Sequence, residues 1–470
     1  MAEDLKPARS KDRFLRGLGA GIVLCLIVGW LIWPKEKGEK PCPPIPAKAQ
    51  SYIVYLKPSK VLPLILDDAI VAAEDGKRKE VRDARRSAII KYADSLQLKI
   101  RPKQVFVDVT AAFVAELSDL QVKQMSDTTD ETYPEVKGVE INSVIELDDP
   151  IMMDEPIMMD EPIMMGDVGL VPSGGAGGCH LSCAVNEAGG STSRPTSLPR
   201  AVAWVIDTGV GPHADLNINY GMGANTTSSG STSTDDDNGH GTHIAGIIGA
   251  RATTIGQPPN RIKLCGGVSQ GAEIVPIKAL DLNGQGEWAF ILGAVDHVAK
   301  YPRIRGSVVN LSLGAIQRKC RQPYPGLSDA ILKLATRLNH FVVMAAGNAR
   351  GDALNNYPGC ISGPANLLTI GALNCGSPLT CAEYSNFGSS VEWLAVGTRV
   401  FSTWKTEDPS DPTIRYYCVR SGTSMSTAIV SGIVHATGKA PVTGTGASPI
   451  TCPVSSPPTP VPFKVARHRP

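Results

Sequence analysis

The chain has 470 residues, 42% of them hydrophobic, with a formal net charge of +1. That length allows roughly two to four units and the apolar share supports a large globular core. The near-neutral balance argues against a nucleic-acid or strongly acidic partner.

Residues 1–16 are basic, with Lys6, Arg9, Lys11, Arg13 and Arg16. Residues 17–33, GLGAGIVLCLIVGWLIW, carry no charge and read as an export signal. No small-x-small cleavage site follows, and Trp30 and Trp33 suit a membrane interface. An uncleaved signal anchor is therefore favoured over a removed signal peptide, with the catalytic part outside the cytoplasm in either case. Residues 34–50 form a Pro- and Lys-rich linker. Cys25 lies in the apolar run; the other ten of the eleven cysteines are Cys42, Cys179, Cys183, Cys265, Cys320, Cys360, Cys375, Cys381, Cys418 and Cys452. In an exported chain such an even set reads as disulfides whose pairing the sequence does not give. The rival, a metal site around Cys179 and Cys183, lacks a second pair at finger-like spacing.

Residues 51–148 pattern as a small α+β unit: a strand SYIVYLK, a helix ending near SLQ, strands in QVFVDVTAAFVAELS, a capped helix LSDLQVKQMSD and a final strand pair in VKGVEINSVIELD. A repeat follows. PIMMDE at 150–155 recurs at 156–161, and PIMM returns at 162–165, holding six of the eleven methionines. Proline at every sixth position rules out a continuous helix or central strand, so the segment reads as a duplicated linker. Residues 166–199 are rich in Gly, Ser and Pro and read as loop or disordered.

From 200 to 440 short apolar runs alternate with helical patterns: AVAWVI, GTHIAGIIGA, EIVPIKAL, GEWAFILGAVDHVAK, SVVNLSLG, LSDAILKLATRLNH, FVVMAAG, LLTIGAL, VEWLAVG and TSMSTAIVSGIVHATG. This alternation predicts an α/β fold, a mostly parallel sheet with helices on both faces. Ligands of such sheets bind beyond the C-terminal strand ends. Residues 441–470 form a Pro/Ser/Thr-rich tail that reads as disordered or as an extended stalk.

Three segments in the 200–440 region carry chemistry: VAWVIDTGV around Asp207, DDDNGHGTHIAG around His240 and SGTSMSTA around Ser424. A serine hydroxyl becomes nucleophilic when a neutral imidazole takes its proton and a carboxylate fixes the imidazole tautomer. An imidazole with the ordinary pKa of about 6.5 is neutral enough at pH 7 for that role. Asp207 and Asn348 each follow a strand while His240 and Ser424 each open a helix, so all four can meet at one rim. His243, one turn beyond His240, reads as a structural neighbour.

In order and context the three segments resemble the subtilisin-like serine peptidases (subtilases), in detail the proteinase K branch. The resemblance implies an endopeptidase acting through an acyl-enzyme on Ser424, with His240 as base, Asp207 as its partner and Asn348 in the oxyanion hole. It implies that Ser312, Leu313 and Gly314 pair with extended substrate and that Ala345, Ala346 and Gly347 line the first specificity pocket, leaving room for an apolar side chain. Residues 51–148 resemble the inhibitor-type propeptide of these zymogens. The partners implied are protein or peptide substrates, the chain's own propeptide and a membrane through the N-terminal run. No cofactor is needed for catalysis. Asp215 matches a position that binds structural calcium in some subtilases, and the metal assignment stays open. The strand and long helix that usually follow the serine helix are not visible. The rival reading is a catalytically impaired binding or decoy protein on the same fold.

Overall fold

The computed structural model describes residues 50–57, 75–127, 133–147, 157–158, 170–173, 178–256, 261–302, 304, 306–316, 320, 325–406, 415–443, 450–452 and 461–468. The apolar run at 17–33, Cys42 and most of the repeat lie outside these residues. Among the described residues no helix is long and apolar enough to cross a membrane.

The N-terminal layer consists of β1 (Gln50–Leu56), α1 (Asp75–Ser95), β2 (Ile100–Phe106), β3 (Ala112–Leu117), α2 (Asp119–Ser126) and β4 (Val136–Ile141). Its strands form an antiparallel sheet in the order β2-β3-β1-β4. Strand side chains alternate between two faces, and both faces are covered here, so SYIVYL and AFVAEL are apolar apart from Ser51 and the exposed Glu116. Tyr52, Val54, Leu56, Phe113, Ala115 and Leu117 face a core with Ile89, Ala93 and Met125 of the two helices. Ile53, Tyr55, Ala112 and Val114 face the rest of the molecule and join its larger core. The Ser118 side chain and Gln121 close a capping box at α2. β5 (Val144–Glu146) does not pair with β4, as the sequence pattern suggests. It leaves this sheet and pairs with a distant segment described below. β5 takes β15 as its partner although β4, outermost in the order β2-β3-β1-β4, keeps one edge open.

Next come β6 (Ile157–Met158), β7 (Leu170–Pro172), β8 (His180–Ser182) and α3 (Cys183–Glu187). Most of 178–199 is thus ordered rather than loose. Disulfides Cys179–Cys265 and Cys183–Cys375 tie it down, and cross-links of this kind are invisible to composition. They also exclude a metal site on Cys179 and Cys183, since each sulfur has a different covalent partner. Two further bridges join Cys320 to Cys360 and Cys381 to Cys452. Cys418 is a buried thiol.

The remaining elements are β9 (Ala203–Asp207), β10 (Asn217–Ile218), β11 (Ala224–Asn225), α4 (His240–Gly249), β12 (Thr253–Ile255), β13 (Ile262–Leu264), β14 (Glu273–Lys278), β15 (Gln285–Glu287), α5 (Trp288–Val298), β16 (Val308–Leu311), β17 (Ala315–Ile316), α6 (Pro325–Thr336), β18 (Phe341–Ala345), β19 (Asn356–Tyr357), β20 (Leu367–Asn374), β21 (Thr380–Cys381), β22 (Trp393–Val396), β23 (Val400–Trp404), β24 (Tyr416–Arg420), α7 (Thr423–Thr437), β25 (Ile450–Cys452) and β26 (Val461–Val465). Among the described residues the main sheet runs β10-β14-β9-β16-β18-β20-β22-β26-β25. Its central pairs are parallel. The α/β fold with helices on both faces is therefore as the sequence pattern implies.

Alternation again sorts the core. Ala203, Val205, Val308 and Val343 pack with α4 and α7. Trp204, Ile206, Val309 and Met344 pack with α5, α6 and the N-terminal sheet. Every residue of α4 is buried, and so is α7 from Thr423 to Ala436, which explains their lack of a polar face. Gly246 lets α4 approach the β23–β24 hairpin: a Cβ there would lie 2.2 Å from Thr403 Oγ1.

The tail is also corrected. β26 adds in parallel to β22, pairing Trp393 with Lys464 and Leu394 with Val465, and β25 folds back on it. Cys452 is bonded to Cys381, and His468 donates its backbone N–H to Ala188. A short strand needs only an open sheet edge and a few alternating residues, which the surrounding prolines conceal. The edge strand missing from the sequence reading is supplied here.

Candidate active site

Asp207 ends β9, and the chain must turn at once to pass under α4. Gly239, the N-cap of α4, is left-handed, φ +115°, and lies against the Trp404 ring. Gly241 lacks the Cβ that would meet the Gly209 carbonyl at 2.0 Å. These two glycines let the end of β9 reach the first turn of α4. There His240 Nδ1 lies 2.7 Å from Asp207 Oδ1, with both side chains almost wholly buried. The Thr208 N–H donates to the same Asp207 oxygen at 2.7 Å.

Asp236 holds the turn. It accepts from Thr208 Oγ1, Gly239 N–H and Asn238 N–H on one oxygen, and from Thr242 N–H and Oγ1 on the other. The sequence reading assigned Asp236 no part. Its signal was available in DDDNGH, an acid shortly before a helix whose own N-cap is a bare glycine. His243 points away from the pair and bonds the Val400 and Cys418 carbonyls, each at 3.1 Å. Burial, helped by the nearby His240, pushes its pKa down to about 3, so it stays neutral and ties α4 to the hairpin.

Ser424 lies in the first turn of α7, 5% exposed. Its Oγ donates to the Ser312 carbonyl at 3.1 Å, and Ser312 Oγ donates back to the Ser424 carbonyl at 2.9 Å. Asn310, fully buried, donates to Ser312 Oγ and accepts from Ser431 Oγ, both at 2.9 Å. This polar chain fixes the Ser424 helix to β16, and neither Asn310 nor Ser431 stands out in the sequence.

Asn348 follows β18. Its Oδ1 accepts from Thr423 N–H at 2.8 Å and Thr423 Oγ1 at 2.9 Å. The side-chain oxygen of Asn348 is thereby committed to Thr423. The Ser424 N–H belongs to the same helix turn, where the helix dipole is positive. Two candidate oxyanion donors are thus tied together through Thr423.

Ser312, Leu313 and Gly314 follow β16. Gly314 bridges antiparallel to Glu146. On the other side β15 pairs antiparallel with β5, Gln285 opposite Glu146 and Glu287 opposite Val144, and Leu147 N–H donates to the Gly284 carbonyl at 2.9 Å. The end of the N-terminal layer therefore lies as a strand between Gly284–Glu287 and Gly314. The β15 edge was read as part of a helix, because Gln285–Glu287 runs without a break into the helical α5. Ala345 and Ala346 are buried, and their carbonyls accept from Asn356 and Asn386. Gly347 has φ +94°, and a Cβ there would meet Asn386 and Asn356.

Asp215 does not fit a calcium ion. Its Oδ1 takes the Arg415 Nε–H at 3.0 Å and its Oδ2 takes the Tyr417 hydroxyl. A guanidinium already supplies the positive charge. No cluster of three His, Cys, Asp or Glu suited to a metal occurs among the described residues.

Residues 201–439, just over half of the chain, match the subtilase (peptidase S8) family. The chain belongs to the subtilase family. This subtilase is 36% identical over 224 residues to the minor extracellular protease Epr of Bacillus subtilis, covering 47% of this chain and 30% of that protein. It is 34% identical over 203 residues to proteinase T of Parengyodontium album, covering 42% and 57%. It is 32% identical over 234 residues to an extracellular serine proteinase of Thermus sp., covering 49% and 48%. The chain thus spans only about a third to just over half of these relatives' length. Among solved structures, a cold-adapted subtilisin-like serine proteinase aligns at 27% identity with a TM-score of 0.38, covering 52% of this chain and 81% of that one.

Proposed function

We propose that this subtilase is an exported serine endopeptidase made as a zymogen. One observation carries the reading: the buried 2.7 Å pair of Asp207 and His240 at the C-terminal end of a central parallel strand, on the helix that packs beside the one bearing Ser424. Ser424 Oγ attacks the scissile carbonyl while His240 takes its proton. The hydroxyl must first turn from the Ser312 carbonyl to the imidazole. Asp207 holds the imidazole and stabilises its charged form. Asn348 and the Ser424 N–H stabilise the oxyanion. His240 then protonates the leaving amine, and water hydrolyses the acyl-enzyme.

Residues 51–148 act as the inhibitory propeptide. Support comes from β5, which lies where an extended substrate would add to the sheet edges. Ile145 of that strand is 2% exposed within the apolar core, which supports a preference for apolar residues before the cut. The four disulfides support work in an oxidising compartment. The ordered 178–199 segment, tied by two disulfides, weakens one of the two motives for the decoy reading.

The test is a phosphonate probe directed at activated serines, applied after the N-terminal layer is removed. Labelling of the wild type and not of Ser424→Ala supports the enzyme; an unlabelled wild type overturns it. Ser424→Ala should also accumulate as uncut precursor on a gel, and normal maturation of that variant would exclude self-processing.

A further inference from the structure

The PIMMDE repeat has no role in the chemistry above, yet one copy is seated on the fold. β6, Ile157–Met158 of the second copy, pairs antiparallel with the outer edge of β24, Met158 opposite Tyr416 and Ile157 opposite Tyr417. β24 is held in place on its other side by β23. Its Tyr417 hydroxyl bonds Asp215, and its Tyr416 carbonyl accepts from His213 at 3.1 Å. The edge is therefore preformed. We propose that it is a strand-docking site for the chain's own repeat, and that each of the three PIMM copies fits it in an equivalent register.

Strand addition uses main-chain hydrogen bonds, and side-chain identity enters at alternate positions. A one-residue slip would turn every side chain to the other face. The repeat is six residues long, an even number, so a slip by one copy restores both the faces and the residues. Proline opens each copy and has no N–H to donate, which limits pairing to the short stretch after it, as β6 shows. Asp and Glu close the two full copies and discourage longer sheet growth. β24 leads within a few residues to Ser424. On the proposed self-processing, any surviving copy would keep the new N-terminal segment on the strand that carries the nucleophile's loop.

The test is independent of catalysis. In full-length Ser424→Ala protein, hydrogen exchange is followed at residues 415–420. Each copy is disabled at constant length by a Gly-Pro substitution: Ile151→Gly with Met152→Pro, Ile157→Gly with Met158→Pro, or Ile163→Gly with Met164→Pro. Protection should survive loss of any one copy. It should fall by at least about tenfold in exchange rate when all three are altered, and return on adding the peptide PIMMDEPIMM. Loss of protection with the second copy alone, or no change with all three altered, overturns the proposal. So does a repeat-dependent dimer by light scattering, which would place the docking between chains.

Discussion

At the scale of single residues the site depends on atoms that are absent as much as on those present. Gly241 is the plainest case, because its missing Cβ is what allows the Gly209 carbonyl and Asp207 to approach the first turn of α4. Gly241→Ala should destabilise the fold by about 1–3 kcal/mol through overpacking and reduce turnover more than that loss accounts for. Thermal unfolding beside single-turnover kinetics separates the two effects; equal activity would show that the Asp207–His240 distance tolerates the shift. Asn348 belongs to the opposite class. Its oxygen is committed to Thr423, so its amide donor is oriented before substrate arrives. Asn348→Ala takes this acceptor from the buried Thr423 N–H and hydroxyl, so it should lower stability by about 1–3 kcal/mol and lower kcat by roughly 10²–10³, or about 2.7–4 kcal/mol, with KM little altered. A change confined to KM would remove it from the oxyanion hole.

At the scale of elements the N-terminal layer completes helices that do not complete themselves. The N-cap residue of α5, Glu287, makes no side-chain cap. Asn142 Oδ1 instead accepts the Ala289 N–H at 2.9 Å. Glu140 Oε1 accepts the Gly326 N–H at 3.2 Å at the start of α6, while its other oxygen accepts from Tyr55. A carboxylate or amide oxygen at a helix N-terminus satisfies an orphan donor and meets the positive end of the dipole. Asn142→Ala should therefore weaken the assembled precursor by about 1 kcal/mol, read as a lower melting temperature of Ser424→Ala protein. On the proposed processing, which removes the residue, the same substitution should leave matured protein unaffected; an equal loss in both forms would contradict this. Capping in trans could not be read from sequence, because Asn142 and Ala289 lie 147 residues apart.

At the scale of the whole molecule, buried titratable groups oppose one another. Burial pushes His243 down to about 3 and His297 and His435 down to about 4, and it lowers His213 as well. A histidine whose folded pKa is depressed contributes stability that is present above its unfolded pKa and lost as pH falls from about 6.5 toward 4. Three carboxyls act the other way in the same window, one of them Asp296, which burial raises. Burial, and after it the neighbouring Asp296, pushes Asp108 up to about 7, and burial raises Glu392 to about 7. Each holds its proton in the folded state and releases it on unfolding, so each favours the fold more as pH falls from 7 to 4. Asp296 accepts the backbone N–H groups of Val107, Asp108 and Val109 across the layer boundary, while Arg82 bonds Asp108. The four histidines outnumber these carboxyls, so precursor stability should rise between pH 4 and 6.5. Asp108→Asn removes one opposing contribution and should steepen that rise in thermal scans of Ser424→Ala protein. A flatter profile would reverse the assignment.

The sequence by itself determined the alternating α/β pattern and marked Asp207, His240, Ser424 and Asn348 as the candidate site, because strand and helix periodicity and short motifs are local properties. Only the tertiary structure decided that β5 leaves its own layer for β15, that Cys183 pairs with Cys375, and that the proline-rich tail supplies β26 to the sheet. It alone brought Asp236, Asn310 and Ser431 to the site and gave Asp215 to Arg415. The physical reason is common to all of these. Hydrogen-bond donors and acceptors, thiols and open sheet edges are satisfied by whatever folding brings near, and the distance along the chain carries no record of it.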